Sequence, residues 1–383
     1  MERNRQVQRV LQIVASSRGG GAEVVRCLVK GLATNEFESI VIMPDDGGHV
    51  SEKDLAEVGA ALYRFQLDRG FDLKEFWRLR RFVRGGQFDI VHVHGARAAV
   101  WGRLAALGPH RPRIVFGVHG LSIVHYTGLK RTLLVGLERA LRLMTDATVC
   151  DSNVERADVV KWKIAAPDKA RVIWNGIDLE RLLKPPHDRA AARSQLHLTD
   201  DSPTLVTVCR LNKPRDFDTL LAGMARIVQQ CPDAQLLIVG DGPLRPQVEA
   251  LIEHYHLPQH VRLLGLVRHV GAILAAADIA VLITAGWEGL PLSALEAMAM
   301  GRPLIISDVG GNREAVLDGE TGYVIPPRDV SAFVRAALDL IRDPAKARTM
   351  SEAGAHRAQQ HFSLQIMAAQ VTDVYRSLLP HAS

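Results

Sequence analysis

Short apolar runs ending in glycine, histidine or serine recur along the chain, each followed by a stretch whose apolar positions have helical spacing. That alternation is the sequence face of βαβ units, in which strands buried on both sides read as continuous hydrophobic runs. In the first half it predicts strands at Val10–Val14, Ser39–Met43, Ile90–His94, Ile114–Val118, Ala147–Cys150 and Val172–Ile173, with helices between them. The rhythm breaks around Leu183–Asp188, where Pro185 and Pro186 forbid a helix, and a linker is expected there. It then restarts, with strands predicted at Leu205–Val208, Leu236–Val239, Val261–Leu264, Ile279–Ile283, Pro303–Ser307 and Gly322–Ile325. No sequence repeat relates the halves, yet both read as doubly wound α/β sheets: residues 1–185 and residues 186–362. In such sheets ligands collect at the carboxyl ends of the strands. The last segment, Ser363–Leu379, is amphipathic, and either closes the second domain or crosses back to the first.

The length of 383 residues agrees with two domains, at about 150 residues each. With 47% hydrophobic and 23% charged residues the chain can bury real cores, which excludes disorder and fibrous repeats. Cys27, Cys150, Cys209 and Cys231 form no C-x-x-C pair, so neither a disulfide framework nor a zinc site is expected, and a reducing cytoplasm fits. The amino-terminal run has too few apolar residues for a signal peptide, and no stretch of about 18 apolar residues lacks a charge. Any membrane contact would therefore be peripheral, on the inner face.

Charge adds an asymmetry that the hydrophobic pattern does not contain. Residues 1–185 carry 29 Lys and Arg against 21 Asp and Glu, whereas residues 186–383 carry 18 against 21. The basic half would face something anionic, or its arginines are ordinary solvated surface. Arg78, Arg80, Arg81 and Arg84 fall in one helix, and Lys130, Arg131, Arg139 and Arg142 in another among leucines. Both could lie on anionic lipid; in the second helix the leucines are expected to point into the core.

Candidate chemistry sits at the ends of the predicted strands. The first runs into Ser16-Ser17-Arg18-Gly19-Gly20-Gly21 and a helix start, a backbone able to approach a phosphate, although G-x-G-x-x-G spacing is absent and a plain flexible turn reads equally well. His92 and His94 share a face of one strand, and His119-Gly120 ends the next. A metal pair is conceivable there, but hydrogen-bonded histidines lining a cleft are the plainer reading. Arg210, Lys213 and Arg215 set cations at a strand end, where guanidinium groups suit a diphosphate. Asp216-Phe217-Asp218 has the form of a metal-binding D-x-D, although Asp216 is better read as the cap of the helix behind it. In Gly286–Ala299, Glu288 lies at a turn and Glu296 on a helix that begins near Leu292 and offers amides to a phosphate. A glutamate in so apolar a segment needs a partner, and a hydroxyl pair of a sugar or ribose would serve.

These glutamates, with Arg210, Arg215, Val239-Gly240-Asp241-Gly242-Pro243, Ala276-Ala277-Asp278, Gly310-Gly311-Asn312-Arg313-Glu314 and Asn175-Gly176-Ile177-Asp178, resemble retaining glycosyltransferases of family 4, in order and over nearly the full chain. The resemblance implies the GT-B fold, two facing Rossmann-like domains with a deep cleft between them, and a final helix that returns to the first domain. It implies that Glu296 holds the ribose, Glu288 contacts the donor sugar, and Arg210, Arg215 and the amides of Leu292 and Ser293 bind the diphosphate. Gly20 and Gly21 would close over it, His119 would sit beside the transferred sugar, and Val267 and Arg268 would cradle the base. The expected reaction is transfer of a hexose from a nucleotide sugar, UDP favoured, to a glycan or lipid-linked acceptor in bacterial-type polysaccharide or glycoconjugate synthesis. It would proceed with retention and without metal or cofactor, and no nucleic-acid partner is expected. Where many relatives have lysine this chain has Arg215, with Lys213 two residues earlier, which changes the phosphate contact. A GT-B-fold sugar-nucleotide epimerase and a non-catalytic nucleotide-sugar-binding protein are the alternatives.

Overall fold

The computed structural model describes residues 7–33, 36–48, 50–67, 70, 72–184 and 187–379. They form two compact units, one of the chain up to Gly176 with the segment from Leu364 onward, the other of Ile177–Ser363. Pro185 and Pro186, where the linker is expected, lie outside the described residues. The units part in sequence at Gly176 and Ile177. Ile177 N donates to Phe362 O at 2.8 Å, and the helix Leu179–Leu183 is tied down by His187 Nε2, 3.0 Å from Leu182 O, so this stretch is built into the second unit.

The first unit is a parallel sheet of β1 Gln8–Val14, β2 Phe37–Met43, β3 Ala61–Arg64, β4 Ile90–His94, β5 Arg113–Gly117, β6 Ala147–Cys150 and β7 Ala170–Val172, in the order β3-β2-β1-β4-β5-β6-β7. Val10, Leu11, Ile13, Val91 and Val93 are fully buried, as a sheet covered on both faces requires. β3 lacks such a run: it is a short edge strand alternating exposed and half-buried positions, and the apolar pattern does not predict it. The helix Leu364–Leu378 packs on the helix Gly20–Leu32 at Gly31, where an added Cβ would overlap the Cβ of Ala368. Tyr375 of that helix is fully buried, edge-on to Phe37 at 5.6 Å between ring centroids.

The second unit is a parallel sheet of β8 Thr204–Val208, β9 Gln235–Val239, β10 Val261–Gly265, β11 Ile279–Leu282, β12 Leu304–Ser307 and β13 Gly322–Ile325, in the order β10-β9-β8-β11-β12-β13. An apolar cluster joins the strand residues Leu205, Leu236, Ile238 and Ile305 to Leu220, Leu221, Met224, Phe333 and Ala337 from the helices Phe217–Val228 and Val330–Arg342. In each sheet the strand order reverses once, between β1 and β4 and between β8 and β11. The loops leaving the strands at such a switch point splay apart and open a crevice at the carboxyl edge.

Candidate active site

In the second unit the loops after β8 and β11 flank the switch point and are laced together across it. Asp216 N donates to Ile283 O at 3.1 Å, while Ala285 N and Thr284 Oγ1 donate to Pro214 O, each at 3.0 Å. This lacing brings two predicted site residues into contact: Arg215 Nη1 lies 2.5 Å from Glu288 Oε1, and Nη2 lies 3.5 Å from Oε2. The side chains are only 14% and 13% exposed, so the two charges neutralise each other in a poorly solvated place. Glu288 is held from behind as well. Gly311 N donates to Glu288 O at 3.2 Å, and Gly310 has φ +52 with its Cα against that carbonyl, where a Cβ would overlap the oxygen. The paired glycines of the Gly310-Gly311 motif thus let β12's loop approach the Glu288 backbone.

The helix Leu292–Ala299 starts beside this pair with no side-chain cap and no acidic residue in its first turn, so the amides of Leu292 and Ser293 keep no capping side chain. Leu292, Ala294, Leu295, Ala297 and Met298 are buried and fix the axis, leaving Glu296 half-buried one turn in. Arg210 is exposed in the loop after β8, which is laced to its neighbours by Cys209 N donating to Val239 O, Leu211 N to Asp241 O and Leu244 N to Leu211 O. Val267 and Arg268 follow β10 on the same edge, where Gly240 N donates to Gly265 O at 2.8 Å. Asp216 is a cap, its carboxylate accepting from Thr219 N and Thr219 Oγ1, while Asp218 accepts from Tyr255 Oη. The triplet is therefore not a D-x-D cradle.

The corresponding edge of the first unit holds Gly20 and Gly21 and the histidines. Gly19, at φ +77, turns the chain from β1 into the helix Gly20–Leu32, which has no side-chain cap. Asp46, which sequence reading does not single out, anchors this turn by accepting from Ser16 Oγ at 2.6 Å and Ser17 N at 2.9 Å. Partial burial opposes its ionisation, but the hydrogen bonds from Ser16 and Ser17 outweigh it and hold its pKa below the ordinary carboxylate value.

His119, at φ +48 after β5, has both ring nitrogens engaged. Nδ1 lies 3.1 Å from Asp151 Oδ2 and Nε2 lies 2.8 Å from His94 Nδ1, with the side chain 12% exposed. His94 Nε2 meets Gln12 Oε1 at 2.8 Å, and His92 Nδ1 meets Tyr375 Oη at 2.8 Å. Glu155 closes the cluster, accepting from Gly120 N at 2.9 Å and Asp151 N at 2.6 Å. Strand-end histidines alone signal this cluster in the sequence. Its carboxylates lie in Asp151-Ser152-Asn153-Val154-Glu155, where the helix Asn153–Lys161 starts on the Ser152 cap.

The basic helices behave differently from each other. In the helix Leu73–Gly85, Arg78 pairs with Glu75, and Arg80 and Arg84 donate to the backbone oxygens of Leu104, Ala105 and Leu107. In the helix Gly128–Leu141 three leucines, Leu129, Leu133 and Leu137, do not point inward as expected. Val135, Glu138 and Leu141 do, because Glu138 pairs with buried Arg103 at 2.7 Å. Leu129 and Leu133 are left 74% and 64% exposed beside Lys130 and Arg131.

Comparison with known proteins accounts for both units. The Glycosyltransferase Family 4 model matches residues 18–181, and the Glycosyl transferases group 1 model matches residues 202–343. A GDP-mannose-dependent alpha-(1-6)-phosphatidylinositol monomannoside mannosyltransferase of Mycolicibacterium smegmatis is 30% identical over 312 residues, 78% of each chain. The UDP-Gal:alpha-D-GlcNAc-diphosphoundecaprenol alpha-1,3-galactosyltransferase of Escherichia coli is 29% identical over 310 residues, 79% of each. Among solved structures, Anabaena HepE in complex with UDP and glucose has a TM-score of 0.85 at 20% identity, covering 97% of this chain and 100% of its own, a likeness of fold. With the family models spanning both sheets and a relative of this identity along most of its length, the chain belongs to the family 4 glycosyltransferases of GT-B fold, which act on nucleotide-sugar donors.

Proposed function

We propose that the enzyme transfers a hexose from a UDP-sugar, with retention at the anomeric carbon and without a metal, to a lipid-linked glycan at an anionic membrane surface. The Arg215 and Glu288 pair at the switch point of the second sheet carries this reading. Breaking the bond from the sugar to phosphate leaves positive charge on the ring and negative charge on the departing diphosphate. Arg210, Arg215 and the amides of Leu292 and Ser293 offset the second, and fixed dipoles of this kind need no reorganisation as the charge develops. Glu288 takes the sugar hydroxyls, Glu296 the ribose, and Val267 and Arg268 the base, and the family resemblance assigns Gly20, Gly21 and His119 to the donor as well. The acceptor oxygen attacks on the face the diphosphate leaves, and its proton passes to a diphosphate oxygen, so the new bond keeps the anomeric configuration.

The E. coli relative, named for a UDP-galactose donor and a diphosphoundecaprenol acceptor, supports the uridine donor and the lipid carrier. The test is incubation with a panel of nucleotide sugars and diphosphate-linked lipid acceptors in EDTA, with the product anomer read by NMR. Fastest turnover with a UDP-sugar and a product of the donor's anomeric configuration are expected. An inverted product, or activity abolished by EDTA and restored by a divalent metal, overturns the mechanism.

The membrane side of the reading rests on the exposed face of the helix Gly128–Leu141. Leu129, Leu133 and Leu137 fall four residues apart on one stripe, with Lys130 and Arg131 beside them. Leucines entering the acyl boundary with cations at the headgroups is the arrangement of an interfacial helix, each cation adding about 1 kcal/mol near an anionic surface. Among the described residues no helix is long and apolar enough to cross a membrane. Sedimentation with phosphatidylglycerol vesicles should therefore fall steeply with salt, and fall about tenfold in Leu129→Ser/Leu133→Ser, from the apolar area withdrawn. Binding equal to wild type in that variant would discard this surface.

A further inference from the structure

We propose that His94, Gln12 and Tyr375 are positioning residues that fix His119 as a doubly hydrogen-bonded imidazolium, which has no lone pair left and so cannot act as a base in the transfer. The proposal rests on the reading above that places His119 at the donor. It follows from counting donors and acceptors along one buried chain of contacts. Gln12 Nε2 lies 3.1 Å from Tyr375 Oη and donates to it, which turns Gln12 Oε1 toward His94 Nε2 at 2.8 Å. An amide oxygen only accepts, so His94 Nε2 carries the hydrogen. A neutral imidazole has one, leaving His94 Nδ1 bare to accept from His119 Nε2 at 2.8 Å. The other nitrogen of His119 faces the Asp151 carboxylate, also an acceptor only, at 3.1 Å. Both nitrogens of His119 therefore carry hydrogens, and the Tyr375 hydroxyl donates onward to His92 Nδ1 at 2.8 Å.

Turning the Gln12 amide over reverses every bond from His92 to His119 and leaves His119 Nδ1 donating to Asp151. His92 then donates to Tyr375, Tyr375 to Gln12, Gln12 to His94 and His94 to a neutral His119. The charge on His119 is thus coupled to the orientation of one buried amide, which is held by a tyrosine of the carboxyl-terminal helix.

The surrounding charges favour the first sense. Burial, and then the neighbouring histidines, push His94 well below its ordinary value and His92 down to about 3, so neither competes for the proton. Burial opposes the charge on His119 too, but Asp151, and after it Glu155, outweigh burial and raise its pKa. Burial, and after it Asp151, push the Glu155 carboxyl itself upward. Asn175 Nδ2 donates to the same Asp151 Oδ2 at 3.2 Å.

Imidazole nitrogen NMR of the wild-type enzyme at neutral pH tests the chain directly, with His94→Asn and His92→Asn used to assign the resonances. Two protonated nitrogens on His119, with His94 and His92 as neutral Nε2–H tautomers, are expected; a neutral His119 facing a His94 Nδ1–H overturns the proposal. The second readout is the pH profile of kcat/KM. The imidazolium exists below its pKa and is lost as pH rises through it, so activity falls on the alkaline side. His94→Phe leaves the charged N–H without an acceptor and should move that limb down by about one pH unit, from the size of a hydrogen bond to a charged group. His94→Asn, which restores an acceptor, should move it back. An unmoved limb together with an imidazolium in the spectrum overturns the placement of His119 at the donor and leaves the hydrogen-bond chain standing.

Discussion

In Glu288→Gln, turnover is expected to fall by about 10²–10³-fold, the size seen when one preorganised electrostatic contact is removed from an active site. UDP binding is expected to hold or tighten. Glutamine fills the same space, so the loop after β11 stays supported by Gly310 and Gly311. Arg215 remains, now without the carboxylate 2.5 Å from its Nη1, and its full charge is available to a diphosphate. The loss therefore belongs to kcat and not to nucleotide affinity. Arg215→Ala should do the reverse, weakening UDP and leaving the largely buried Glu288 carboxylate unpaired. Calorimetric titration with UDP alongside single-turnover transfer separates the two. Wild-type turnover in Glu288→Gln would remove this residue from the chemistry.

That pair also shows where sequence reading stops. Glu288 and Arg215 are both legible as site residues, from a carboxylate in an apolar turn and a cation at a strand end. Their contact across the switch point is not, because it depends on β8 and β11 being neighbours in the sheet although two strands separate them in the chain. Strands such as β4 and β6 are legible to the residue, since each is a fully buried run built on β-branched residues between turn signals. β3 has no such run, and an edge strand needs none, because only one side must pair.

The histidine cluster marks the same limit in the first unit. His92, His94 and His119 stand out at strand ends. Gln12, in the middle of β1, reads as a polar interruption of an apolar strand, and Tyr375 reads as an apolar position of the final helix. Only the docking of that helix against the helix Gly20–Leu32, through Gly31 and Ala368, brings the tyrosine hydroxyl to His92 and Gln12. The partners of these buried polar side chains come from elements far apart in sequence, so no local pattern announces them.

Glu138→Ala should destabilise the first unit by about 3–5 kcal/mol, the loss typical of breaking a buried ion pair by removing one partner. Glu138 accepts from Arg103 Nη2 at 2.7 Å, and the arginine side chain is fully buried. Arg103 Nε donates to Ala99 O at 2.9 Å and its guanidinium lies over the Phe116 ring at 4.5 Å, so it cannot swing out to water without abandoning these contacts. The substitution leaves a desolvated cation with no counter-charge. The pair also joins the helix Gly95–Ala105 to the helix Gly128–Leu141, whose other face carries the exposed leucines. Adding Arg103→Met removes the stranded charge, keeps a long flexible apolar side chain against Phe116, and should recover much of the lost stability, a coupling that a double-mutant cycle in denaturant would measure. If the pair is what sets the helix rotation, the double variant should regain stability while its vesicle binding stays below wild type, because the leucine stripe is no longer locked outward. Additive losses in the cycle would show that Arg103 and Glu138 act through separate contacts.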